Sequence, residues 1–324
     1  MRAVVCSELG PVEGLSIGEM PDPVPGPGEL VIDVQAAALN FPDTLIIEGK
    51  YQYQPDLPFV PGGEAAGLVA AIGDGVDRFA IGDPVVAMGG AGAFAEKWKV
   101  EAATTMPKPE QLSFEEAAAF GLTYGTSYYA LKQRANLQEG ETLLVLGAAG
   151  GVGSSAVEIG KAMGARVIAA ASTDEKLGFA AAMGADEGIN YSTEDLRGRL
   201  KEITGGRGVD VVYDPVGGEL SELSLRSTAW NGRFLVIGFA SGTIPEIPLN
   251  LMLLKGVAVV GVFWGSWTAK DPAASMQNFG ELFKMVAEGR LHPRVTDVYP
   301  LEDYQAAFRA LTGRAAKGKV VITI

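Results

Sequence analysis

The chain has 324 residues, of which 43 are glycine, one is cysteine (Cys6) and one is histidine (His292). A single cysteine excludes an internal disulfide and a cysteine cluster for structural zinc or an iron–sulfur centre. A single histidine excludes a multi-histidine metal site and leaves His292 as the only base for a Ser-His-Asp or Cys-His catalyst. With 26 basic against 39 acidic side chains and a formal charge of −13, nucleic acid and anionic membranes are poor partners.

The length favours two domains. At the N-terminus, Arg2 is followed by only four apolar residues, too few for a signal sequence. The longest apolar stretches, Leu143–Ala149 and Val257–Trp264, are too short to cross a bilayer. A soluble, cytoplasmic protein is expected. Up to about residue 120, Pro and Gly recur every few residues, as in PDPVPGPGE (21–29) and PDLPFVPGG (55–63), with β-type runs such as Leu30–Ala37 and Gly67–Ile72 between them. That pattern predicts a barrel-like all-β unit.

Beyond residue 120 strands alternate with helices. The pattern predicts strands at 143–147, 166–172, 187–191, 209–214, 232–238 and 257–265, with helices over Ser154–Met163, Asp174–Met183, Glu194–Ile203 and Leu220–Trp230 between them. Apolar strands alternating with helices indicate a parallel sheet covered on both faces, and six strands match the two halves of a doubly wound dinucleotide-binding fold. The last stretch holds helices over Ala273–Glu288 and Asp303–Leu311 and a strand at 318–324 that is expected to return to the N-terminal unit.

The strongest motif runs from a strand directly into Gly147-Ala148-Ala149-Gly150-Gly151-Val152-Gly153 and then into a helix and a second strand. Gly150 and Gly151 allow a tight turn and close approach to a pyrophosphate. Gly153 lets helix and strand pack closely, and the helix N-terminus presents N–H groups to the phosphates. Ala148 occupies the first position of the usual G-x-G-x-x-G, a mild departure. The second strand ends at Ala170-Ala171-Ser172-Thr173 with no acid at its tip; Asp174 and Glu175 follow where a helix begins. An acid at the tip would bind the ribose 2′-OH of NAD, whereas Ser172 and Lys176 supply a hydroxyl and a cation for a 2′-phosphate. NADPH is the expected cofactor.

The chain resembles the zinc-independent quinone oxidoreductases of the medium-chain dehydrogenase/reductase superfamily over nearly its whole length. The resemblance is carried by Ala37–Asp43 (AALNFPD), Pro61–Gly67 (PGGEAAG), Gly82–Val86 (GDPVV), the turn at 147–153, Tyr213–Gly218 (YDPVGG) and Gly318–Val321 (GKVV). Zinc-dependent relatives place Cys and His at the positions of Asn40 and Gly63, and carry a four-cysteine lobe that is missing here. The resemblance implies an α/β protein: a GroES-like β-barrel-type catalytic domain from residues 1–121 and 266–324, and a Rossmann doubly wound parallel-sheet domain over 122–265.

The resemblance also implies site residues. Asn40, Asp43 and Tyr51 line the substrate side of the nicotinamide. Thr126 lies beside the cofactor, Lys176 and Tyr191 hold the adenosine 2′-phosphate end, Gly238, Phe239, Phe263 and Trp264 sit at strand ends near the nicotinamide, and Lys319 faces the same site. Other readings stay open. Asn40 suits a helix cap ahead of Phe41-Pro42, Tyr51 and Tyr53 suit packing, and Trp264 and Trp267 suit walls. His292 is expected to be exposed and Cys6 to be a small buried hydrophobe.

Without a metal or a usable histidine, the chemistry implied is hydride transfer from NADPH to an acceptor that is already electrophilic. A quinone fits, and an enone, alkenal or enoyl thioester fits as well; the sequence does not separate them. Asn40 and Tyr51 are the expected hydrogen-bond donors to the developing anion. A reading of another class is a non-enzymatic NADPH-binding structural or regulatory protein. The apolar run Val257–Gly261, expected last in its sheet, predicts edge pairing in a homodimer.

Overall fold

The computed structural model describes residues 1–313 and 316–324. The chain divides into two compact units, Met1–Leu122 with Pro293–Ile324, and Thr123–His292.

In the first unit, β1 (Arg2–Val5) and β2 (Ser16–Glu19) pair antiparallel. The long strand β3 (Glu29–Leu39) leads into helix α1 (Phe41–Ile47). Then follow β4 (Glu64–Ile72), β5 (Pro84–Met88), β6 (Lys97–Glu101), β7 (Thr105–Pro107) and the short helix α2 (Phe114–Ala118). Strand β3 hydrogen-bonds to both β4 and β6 and is buried along most of its length, so the polar/apolar alternation of a half-exposed strand is lost there.

Helix α3 (Gly121–Tyr129) carries the chain into the second unit. Its strands are β8 (Thr142–Leu146), β9 (Arg166–Ala171), β10 (Glu187–Asn190), β11 (Val209–Asp214), β12 (Thr228–Val236) and β13 (Ala258–Gly261). Between them run α4 (Gly151–Ala162), α5 (Asp174–Ala182), α6 (Leu196–Ile203), α7 (Glu219–Arg226) and α8 (Asn250–Lys255), and after them α9 (Trp264–Lys270) and α10 (Pro272–Ala287). All strand pairs are parallel and the spatial order is β10-β9-β8-β11-β12-β13. In chain order that is 3-2-1-4-5-6, so the strand order, not the strand direction, reverses between β8 and β11. All five residues of β8 are buried, as the central position requires.

The chain then returns to the first unit through β14 (Val295–Pro300), α11 (Tyr304–Thr312) and β15 (Lys319–Thr323). Strand β15 pairs antiparallel with β3, Val321 opposite Ala38, in the sheet order β14-β15-β3-β4-β5-β7. The core of this unit gathers Leu30, Ile32, Phe94, Trp98, Phe308 and Ile322.

Three expectations differ from the structure. The helix expected to reach Trp230 stops at Arg226, because Thr228 already pairs with Val209 in the sheet and Trp230 lies exposed on β12. The strand expected over 257–265 has four residues, because Trp264 opens α9 and its ring packs edge-on against Phe279 at 6.3 Å. Residues 266–292, assigned from sequence to the first unit, cluster with the parallel sheet. There α10 is held by Phe279 on Trp264 and by Asn278, whose amide oxygen accepts from Gln133 Nε2 at 2.8 Å.

Candidate cofactor and catalytic sites

The Gly-rich turn is built as its residues require. Gly147 leaves β8 at φ +58°, a left-handed conformation that a Cβ would strain. Its carbonyl accepts from Gly150 N–H at 2.9 Å, which closes the turn, and Gly150 caps α4 in extended conformation without a side chain. A Cβ on Gly153 would lie 2.1 Å from the Gly147 carbonyl oxygen, so only glycine lets the first turn of α4 approach the strand end. The N–H groups of that turn have no carbonyl ahead of them in the helix and point outward from its positive end. Gly151 and Val152 open the helix and Ala149 just before it is buried, and the donor set of this turn fits a diphosphate.

A second cluster lies at the carboxyl ends of β9 and β10. Tyr191 N–H bonds to Ala171 O at 3.1 Å and holds the two ends in register. Lys176 Nζ lies 3.4 Å from Ser172 Oγ, and Thr173 caps α5 by accepting from Lys176 N–H. Asp174, the first acid after the strand, accepts from Asn190 Nδ2 at 2.8 Å. Its carboxylate is thus tied to the next strand, while a hydroxyl and an ammonium stand together, a set that fits a 2′-phosphate.

The other residues expected on this unit divide. Thr126 is half-buried on α3. Gly238 N–H is held by Asp214 O at 3.3 Å, and Phe239 lines a cavity of about 250 Å³ with Asp214, Ser221 and Met252. Trp264 packs inward, its ring so close to Gly125 that a Cβ there would lie 2.6 Å away, whereas Phe263 is exposed. Sequence reasoning passed over Asp214. Its Oδ1 accepts the N–H groups of Val216 and Gly217 and its Oδ2 the Ser221 hydroxyl at 2.5 Å; burial pushes its carboxyl above the usual range.

In the first unit, Asn40, Glu64 and Lys319 form a buried polar knot. Glu64 has no exposed surface, and it accepts from Asn40 Nδ2 (2.7 Å), Lys319 Nζ (2.8 Å) and Leu122 N–H (2.7 Å). Lys319 Nζ also donates to Asn40 Oδ1 (2.5 Å) and Leu39 O (3.0 Å). An ammonium has three hydrogens, and each has an acceptor here. The structure therefore places Lys319 with Asn40 and gives its ammonium no spare donor. Glu64, like Asp214, is not singled out by the sequence; its only signal is one acid among small residues in the Pro61–Gly67 segment.

Asp43, third in α1, reaches back to Asn40 N–H at 2.7 Å, so the capping reading of this segment is also realised. Burial moves the Asp43 carboxyl up to about 7, against the pull of that N–H and of Lys319. Tyr51 is half-buried, and burial, with the Asp43 charge, raises its phenol above the usual value. Tyr53 is exposed and lies against Gly90. Cys6 is buried and the His292 side chain is exposed. Among the described residues, no group of three or more His, Cys, Asp or Glu side chains is placed to hold a metal ion. No helix among them is long and apolar enough to cross a membrane.

Comparison with known proteins agrees with this architecture. Residues 26–110 match the alcohol dehydrogenase GroES-like domain family, and residues 151–282 match the zinc-binding dehydrogenase family. The chain is 38% identical to the rat quinone oxidoreductase-like protein 2 over 100% of its own length and 92% of the relative's. It superposes on the Escherichia coli quinone oxidoreductase complexed with NADPH with a TM-score of 0.92, at 33% identity and 100% coverage of both chains. It superposes on the CurK enoyl reductase with a TM-score of 0.90, at 29% identity over 99% of this chain and 98% of that one. The chain is an oxidoreductase that belongs to the zinc-independent quinone oxidoreductase family of the medium-chain dehydrogenase/reductase superfamily.

Proposed function

We propose that the protein binds NADPH and reduces a quinone. The observation that carries the cofactor reading is the paired Ser172 hydroxyl and Lys176 ammonium at the end of β9, with the nearby Asp174 carboxylate tied to Asn190. The N-terminus of α4 holds the diphosphate, and Lys176, Ser172 and Tyr191 hold the 2′-phosphate. When bound, the nicotinamide supplies the hydride. A quinone accepts it without Lewis-acid help because the product anion is delocalised, and that anion needs a hydrogen-bond donor. Tyr51 serves as that donor, since its half-buried hydroxyl has no protein hydrogen-bond partner among the described residues. Asn40, engaged with Glu64 and Lys319, acts by fixing the backbone rather than by touching the acceptor.

A second reading, reduction of a C=C conjugated to a carbonyl, is supported by the likeness to the CurK enoyl reductase. NADPH oxidation measured in parallel with 1,4-benzoquinone, a medium-chain enone and a short enoyl-CoA separates the two. Binding without turnover on all three would overturn both and favour a structural or regulatory role.

We also propose a two-fold homodimer and a cytoplasmic location. Among the described residues, strand β13 is a sheet edge that pairs only with β12, Val259 on it is exposed, and so are Leu249 and Leu253 at the preceding helix α8. Sedimentation at micromolar concentration tests the dimer, and a monomeric mass overturns it. Cell fractionation tests the location, and recovery in the membrane pellet overturns it.

A further inference from the structure

The chain passes between its two units twice, at Leu122/Thr123 and at His292/Pro293. These places are far apart in sequence, yet one side chain holds both. Glu158 lies within α4, the helix that starts at the phosphate-binding turn, and is 7% exposed. Its Oε2 accepts the Tyr124 hydroxyl at 2.5 Å, two residues past the first crossing. Its Oε1 accepts the His292 backbone N–H at 2.6 Å, the last residue before the second.

A carboxylate in the buried stretch of a helix is costly unless its oxygens are occupied. Here one oxygen serves each crossing. The first crossing has further ties to the same helix: Ser155 Oγ donates to Thr123 O at 3.1 Å and lies 2.8 Å from Ser127 Oγ. For the second, Arg290 donates to Ala162 O at the end of α4, but the Glu158 bond reaches the crossing residue itself.

We infer that Glu158 is a positioning residue that fastens both chain crossings to the helix bearing the dinucleotide turn. The function of that fastening rests on the proposed NADPH-dependent activity; the fastening itself does not. On the proposed function, the dinucleotide contacts all belong to the second unit, whereas the proposed hydrogen-bond donor Tyr51 belongs to the first. Loosening the crossings therefore lowers kcat and leaves cofactor affinity nearly intact.

The test compares Glu158→Ala and Glu158→Gln with the unaltered protein. In E158Q the amide oxygen still accepts from His292 N–H, and the amide NH₂ can donate to the Tyr124 oxygen, so the conservative variant retains both ties. Hydrogen exchange is the readout that needs no activity. In E158A the amides of 123–126 and of His292 exchange about tenfold faster or more, while those of β8 and β11 are unchanged. E158Q stays close to the unaltered protein. Steady-state assays give a lower kcat for E158A, with the NADPH dissociation constant within about twofold. The inference is overturned if exchange rises at one crossing only or throughout the second unit, if E158Q behaves as E158A, or if NADPH affinity falls as much as kcat. If the unaltered protein binds no NADPH, the functional reading fails, and the exchange result still decides the fastening.

Discussion

Replacing Lys319 by methionine isolates the value of the buried knot in the first unit. Methionine approximates the lysine stem, so lost packing is a small term. The ammonium is lost, and Glu64 keeps its carboxylate at zero exposure with only Asn40 Nδ2 and Leu122 N–H as donors. Breaking a buried pair by removing one partner costs about 3–5 kcal/mol. At about 2–4 °C per kcal/mol for a unit of this size, Tm falls by roughly 6–20 °C. Glu64→Gln strands the ammonium instead and costs a similar amount. The double variant removes both charges, so its loss is smaller than the sum of the singles by about 2 kcal/mol or more. Urea unfolding of the four proteins gives the cycle. Two singles each below about 1 kcal/mol, or an additive double, would put the pair in the class of surface ion pairs and refute the reasoning.

Lys176→Ala should weaken NADPH binding by about 10- to 100-fold and NADH binding hardly at all, since a charge-assisted contact to a 2′-phosphate is worth about 1.5–3 kcal/mol; titration with both nucleotides checks it, and equal losses reject the role. Gly153→Ala places a Cβ 2.1 Å from the Gly147 carbonyl oxygen, and α4 must move away from the strand end. The variant should lose both thermal stability and NADPH affinity, and a neutral result in both would show that the turn is looser than described. Asp43 adds a pH dependence. With its carboxyl raised from 3.8 to about 7, the native state holds a proton that the unfolded chain has released. This contribution is full below about pH 4 and lost as pH rises through 7, at most about 4 kcal/mol. Asp43→Asn should flatten the stability profile between pH 4 and 7, and an unchanged slope there would count against the shift.

The second unit was legible because its signals are local. Each buried strand is a short apolar run, and the turn at 147–153 carries its own glycines. The errors came where two local signals competed. Ser-Thr-Ala-Trp at 227–230 reads as a continuing helix until Thr228 finds Val209 across the sheet. Phe263 and Trp264 extend an apolar strand until Trp264 meets Phe279, fifteen residues on. The second boundary was hidden for the same reason, since α10 joins the parallel-sheet unit through packing on α3 and α9 that no periodicity shows. The polar knot joins three places distant in sequence, β15, the start of α1 and β4. Asn40 and Lys319 were each legible as candidates, but the carboxylate that unites them was visible only as one acid in a small-residue strand.

The knot also divides the work among the side chains expected to meet substrate. Asn40 Nδ2 is directed to Glu64 at 2.7 Å and to Ala38 O at 3.4 Å, and its Oδ1 is taken by Lys319. Freeing that amide for a substrate would deprive Glu64 of a buried donor, at a cost comparable to the worth of one substrate hydrogen bond. Asp43 commits an oxygen to Asn40 N–H. Among the described residues, the Tyr51 hydroxyl has no protein partner of this kind, and it is only half-buried. Burial and the Asp43 charge both act to keep its proton on, which suits a group that must donate rather than accept. The segment from Asn40 to Tyr51 thus pairs a rigid beginning, held by the knot and the helix cap, with one uncommitted donor at its end. Tyr51→Phe should therefore lower kcat on the proposed quinone acceptor without changing stability, whereas Asn40→Ala should lower stability first, and the order of those two effects, measured by unfolding and by steady-state kinetics, decides between a donating and a positioning role for each.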